Sequence, residues 1–136
     1  MRSLIVVLFS LLVLPWLPSA HAEDGGVGAK PTALVVFVFD KSCKISCGIV
    51  QPIIRELQTE YSGRVDFVEL DVSKDSIKDS QKTAKSLGVS SFLSDTEDWY
   101  PAVGMFTSRR KMVKQILGAK SKDVYKTAIE KALASK

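Results

Sequence analysis

Seven consecutive residues, Ala33 to Phe39 (ALVVFVF), run without a polar break, and no other stretch constrains the fold as much. A half-exposed strand would alternate apolar with polar. An unbroken apolar, β-branched and aromatic run is the pattern of a strand covered on both faces, as in a parallel sheet. Such a strand demands helices on both sides of its sheet. Cys43 to Tyr61 supplies one, with Ile45, Ile49, Val50, Ile53, Ile54, Leu57 and Tyr61 at helical spacing and Gly63 as the stop signal. Val65 to Asp71 (VDFVELD) reads as a second strand. Ser76 to Leu87 reads as a more polar helix with Ile77, Ala84 and Leu87 inward, closed by Gly88.

Ser90 to Tyr100 (SSFLSDTEDWY) has no steady period and is expected to be a loop. Ala102 to Phe106 and Met112 to Leu117 are two short strands, joined by a polar turn from Thr107 to Lys111. Ser121 is the expected N-cap of a last helix, with Asp123 near its positive end and Val124, Tyr125, Ala128, Ile129, Ala132 and Leu133 on one face. The predicted class is therefore α/β, a mixed four-stranded sheet with helices on both faces in the order βαβαββα.

Residues 1–22 are set aside from the fold. Met1-Arg2, an apolar run from Leu4 to Leu14 and the small-residue site Ala20-His21-Ala22 form the pattern of a cleaved secretory signal. At 11 residues that run is too short to span a bilayer as a helix, which takes about 20. Glu23 to Pro31 follows as a flexible lead-in, and the domain occupies 32–136. Removing those 22 residues from the 136 leaves 114, the size of one domain. Arg2 goes with them, so 18 basic and 15 acidic residues remain, and that small excess does not suggest a nucleic-acid binder. His21, the sole histidine, also lies there. Histidine catalysis and histidine-ligated metals are thereby excluded from the mature chain. Export would place it in the periplasm, a lumen or the medium, where two cysteines can pair.

The chemistry lies in Asp40-Lys41-Ser42-Cys43-Lys44-Ile45-Ser46-Cys47, between the first strand and the first helix. Ends of strands that feed helix N-termini are where open α/β sheets carry their sites. The helix end, Lys41 and Lys44 favour a thiolate at Cys43, with Asp40 acting against them, while Cys47 sits one turn in with poorer access. That pattern suits an attacking and a resolving thiol. In a regular helix the Cβ atoms of residues four apart lie too far apart for a disulfide, so Cys43 must stand at or outside the N-cap for the pair to close.

The chain resembles the thioredoxin-like superfamily over nearly all of residues 33–135. Four features carry the resemblance: the order of strand, cysteine pair and helix; Pro52, five residues after Cys47, where thioredoxins have a helix-kinking proline; Tyr100-Pro101, similar to the family's cis-proline beside the site; and Leu117 to Lys122, similar to the segment that enters its last helix. The chain departs from the pattern at Ser42, where thioredoxins have tryptophan, and at Lys44-Ile45-Ser46, where they have Gly-Pro. Phe37 falls near the place of the family's buried acid, and Glu23 to Thr32 leaves no room for its usual first strand and helix.

The resemblance implies thiol–disulfide exchange on protein thiols or disulfides, with Cys43 attacking, Cys47 resolving, and Tyr100, Pro101 and Trp99 shaping the substrate groove. It implies a monomer that uses no cofactor or metal and, once the signal is cleaved, no membrane. Two other readings stand beside it: a thioredoxin-like binding module with an inert Cys43–Cys47 bridge, and a copper chaperone of the Sco type, which shares the C-x-x-x-C spacing but adds a histidine that the mature chain lacks. Met105 and Met112 read as strand residues rather than soft-metal ligands. Asp95, Glu97 and Asp98 read as a solvated loop edge, and deletion of Ser90 to Trp99 is expected to change partners more than stability.

Overall fold

The structure is a computed structural model that describes residues 32–136; the signal segment and the lead-in up to Pro31 lie outside the described residues. Its elements, in chain order, are β1 (Ala33–Phe39), α1 (Ser46–Glu60), β2 (Val65–Asp71), α2 (Ile77–Leu87), α3 (Ser90–Thr96), β3 (Ala102–Phe106), β4 (Met112–Leu117) and α4 (Lys122–Ala134). The four strands form one sheet in the order β2-β1-β3-β4. β1 pairs in parallel with β2 from Ala33↔Val65 to Phe39↔Asp71, and antiparallel with β3, which pairs antiparallel with β4. The architecture is a mixed α/β sheet with four helices, one more than the βαβαββα order expected.

The unbroken apolar run of β1 is explained by its two faces. Ala33, Val35 and Phe37 enter one core with Val50, Ile54 and Leu57 of α1 and Tyr125 and Ile129 of α4. Leu34, Val36 and Val38 enter the other with Ala84 of α2 and Phe92 and Leu93 of α3. All six residues from Ala33 to Val38 are buried. At about 25 cal/mol per Å² of apolar surface removed from water, a strand buried on both faces contributes roughly twice what a half-exposed one would.

The additional helix corrects the expected loop at Ser90 to Tyr100. Val89, Phe92, Leu93 and Thr96 recur at i, i+3, i+4 and i+7 and are all buried. Thr96 breaks the apolar pattern in sequence but not in energy, since its hydroxyl donates to the Phe92 carbonyl at 2.6 Å and so is buried with a partner. The segment belongs to the core. Deleting it is therefore expected to cost stability, against the expectation of a mainly partner-directing loop.

Smaller differences have equally local causes. Helix α1 starts at Ser46 rather than Cys43, because Asp40 and the turn after it take up the intervening residues. Its helical pattern suggested Ile45 and Ile49 as inward, yet they are 81% and 53% exposed. Ser121 occupies the N-cap of α4 without a side-chain cap bond, and Val124, expected on the buried face, is 43% exposed. Pro52 lies inside α1, as the spacing placed it.

Gly104 on β3 leaves no room for a side chain in this core. A Cβ there would stand 2.7 Å from the Phe106 ring and 2.8 Å from the Phe92 ring. Those two rings already hold each other edge to face at 5.5 Å. Gly104→Ala is expected to destabilise by about 1–3 kcal/mol through overpacking, read as a lower urea midpoint; an unchanged midpoint would mean that the rings yield freely.

Candidate thiol site

β1 delivers the chain to Asp40, and a tight turn follows. The Cys43 N–H donates to the Asp40 carbonyl at 2.9 Å, closing the turn. Oδ1 of Asp40 accepts from the Ser42 N–H at 2.7 Å and from the Ser42 hydroxyl at 2.6 Å, which holds that turn from the side. The N-cap of α1 is Ile45, so Cys43 stands two residues ahead of it, outside the helix. Cys47 is the second residue of α1. The C-x-x-x-C spacing is thereby freed from regular helix geometry, the condition the pair needs to close.

Both cysteines are free thiols, with Cys43 partly exposed and Cys47 4% exposed. The Cys47 thiol has Cys43 as hydrogen-bond partner, and the Asp40 N–H is directed at the Cys47 sulfur. Burial first, and then the hydrogen bond to Cys43, push the Cys47 thiol up to about 12, with the charges of Cys43 and Asp40 adding in the same direction. Cys47 is therefore a protonated thiol at neutral pH. An open cavity of about 380 Å³ beside the pair is lined by Phe39, Asp40, Lys41, Cys43, Lys44, Cys47, Gly48 and Gln51.

The other expected site residues divide into those that reach the pair and those that stand apart. Lys41 and Lys44 line the cavity and are exposed; Lys41 also pairs with Asp75 at 3.4 Å, tying the turn to the segment after β2. The Tyr100–Pro101 peptide bond is cis, with Pro101 buried at the entry to β3. The negative charge of Asp40, then burial, and then Cys43 and Cys47 raise the Tyr100 phenol, which puts that residue in the electrostatic surroundings of the pair. Trp99 is 68% exposed and does not line the cavity.

Asp40, expected from the sequence only to oppose a thiolate by its charge, contacts both cysteines and Ser42. Its position at the last turn before a cysteine, with a serine two residues on, was the signal available. Phe37, near the place of the acid in the resembled family, is fully buried. Among the described residues, no three His, Cys, Asp or Glu side chains are grouped to hold a metal ion, and no helix is long and apolar enough to cross a membrane. Comparison with known proteins found no family model and no curated protein that matches the chain.

Proposed function

We propose that the protein is an exported thiol–disulfide oxidoreductase of thioredoxin-like architecture, acting on protein thiols or disulfides. The observation that carries the reading is the asymmetry of the pair: two free thiols in hydrogen-bond reach, one open to solvent ahead of a helix and one shielded within its first turn. The sheet order, the helix proline, the cis Tyr100–Pro101 bond and the placement of the pair after β1 support the thioredoxin-like resemblance.

In the reducing direction the Cys43 thiolate attacks one sulfur of a client disulfide. A Cys43–client bond forms, the client S–S bond breaks, and one client sulfur leaves as a thiolate that takes up a proton. Cys47 then loses its proton and attacks the Cys43 sulfur, forming the Cys43–Cys47 bond and releasing the second client thiol. Two electrons and two protons have passed to the client. An external dithiol returns the pair to its reduced form. Oxidation of a client dithiol is the same sequence reversed, with an external disulfide as the oxidant.

Two observations favour the alternative of a binding module with an inert bridge: β1 has Phe37 near the place where the resembled family has its buried acid, and Cys47 is strongly biased toward its thiol form. Equilibration of the wild-type pair in mixtures of reduced and oxidised dithiothreitol separates the two. The oxidoreductase reading predicts rapid, reversible exchange in the folded state with a potential above about −300 mV. A more reducing value with slow exchange would assign the bridge to structure.

A further inference from the structure

Asp40 meets both cysteines and the turn that carries them. Its carbonyl accepts from the Cys43 N–H at 2.9 Å, and its N–H is directed at the Cys47 sulfur. Its carboxylate accepts both the N–H and the hydroxyl of Ser42 through one oxygen, Oδ1. It also lines the cavity beside the two sulfurs. The backbone contacts would survive any side-chain substitution. The carboxylate contributes two separable things, an acceptor that braces the Ser42 turn and a negative charge beside Cys47.

We propose that Asp40 is the positioning residue of the thiol pair: its carboxylate holds Cys43 ahead of α1, and its charge sets how fast Cys47 resolves a mixed disulfide. The proposal rests on the oxidoreductase reading for its kinetic part. The groups that face Cys47 are Cys43, Asp40 and, across the site, Tyr100, with Lys41 and Lys44 on the cavity wall. The Asp40 charge opposes the Cys47 thiolate, so its removal lowers the pH at which Cys47 ionises. Each pKa unit of that drop makes about tenfold more thiolate, while the weaker basicity costs about threefold in nucleophilicity. Resolution then quickens at neutral pH, by about threefold for each such unit.

Asp40→Asn keeps an oxygen at the place of Oδ1 and removes the charge; Asp40→Ala removes both. The probe is oxidised glutathione, added to the reduced full-length mature chain, with formation and decay of the glutathione adduct on Cys43 followed by quenched-flow mass analysis across pH. Asp40→Asn is expected to leave adduct formation within about twofold of wild type and to speed its decay, with the decay profile moved to lower pH. Asp40→Ala is expected to slow adduct formation, since Ser42 loses its brace. Wild-type decay rate and pH profile in Asp40→Asn would overturn the proposal, as would slow adduct formation in both variants alike. A separate reading comes from the Cys47 Cβ chemical shift, titrated by NMR in the reduced wild type and in Asp40→Asn. If the wild type forms neither the adduct nor the Cys43–Cys47 bridge, the oxidoreductase reading fails. The charge on Cys47 is then judged by this titration alone, and an unmoved midpoint would overturn it.

Discussion

Phe92→Ala is expected to destabilise the domain by about 3–5 kcal/mol, the range for removing a buried aromatic ring and leaving its cavity. The ring is 4% exposed, meets Phe106 edge to face at 5.5 Å, and fills the space over Gly104. Its removal therefore forfeits dispersion contacts with Phe106 and over Gly104 as well as the ring's transfer free energy. Small domains have about 5–15 kcal/mol in all, so much of the margin would go. Urea unfolding should show a large drop in midpoint with little change in slope. A loss below about 1 kcal/mol would mean that α3 is a surface appendage. The same argument makes deletion of residues 90–99 an unfolding mutation.

The segment that contains Phe92 also shows where the sequence was hardest to read. The bounds of β1, β2, β3 and β4 were legible because each strand is flanked by strong punctuation, such as Gly63 before β2 and Gly118 after β4. Helix α3 spans only seven residues, too few for a period to emerge, and its buried face begins at Val89, outside the stretch, and ends on a threonine. Both ends of the pattern were thus disguised. At the site, the cysteine pair, both lysines and the Tyr100–Pro101 step could be found from residue type and order. The start of α1 could not, because it depends on Asp40 and Ser42 bonding locally instead of extending the helix. Ile45 and Ile49 follow from the same cause: the chain before Ser46 is turned outward, and the first turn of α1 presents them to solvent beside the thiols.

The largest chemical effect is expected from separating the two cysteines. In Cys47→Ser, Cys43 retains its turn, its exposure and its ability to attack, but the thiol that would release a mixed disulfide is gone. The adduct should persist. In Cys43→Ser the remaining thiol is the buried Cys47, 4% exposed and pushed up to about 12 in the wild type. Part of that shift came from the Cys43 hydrogen bond and lapses with it, yet burial, the first cause, remains. The part that remains still lowers the thiolate fraction below that of an unperturbed thiol near 8.5, and higher basicity returns only about half of that loss on a logarithmic scale. Attack by Cys47 should then be slower than that of an ordinary thiol, on the order of tenfold.

The most direct test of the central claim is intact-mass measurement of the glutathione adduct in the two single-cysteine variants, taken after equal exposure to oxidised glutathione at neutral pH. The account predicts a stable one-to-one adduct on Cys43 in Cys47→Ser, at least about tenfold less in Cys43→Ser, and an internal Cys43–Cys47 bridge in place of either in the wild type. Equal labelling of the two variants, or no adduct in Cys47→Ser while the wild-type bridge resists thiols in the folded state, would contradict it.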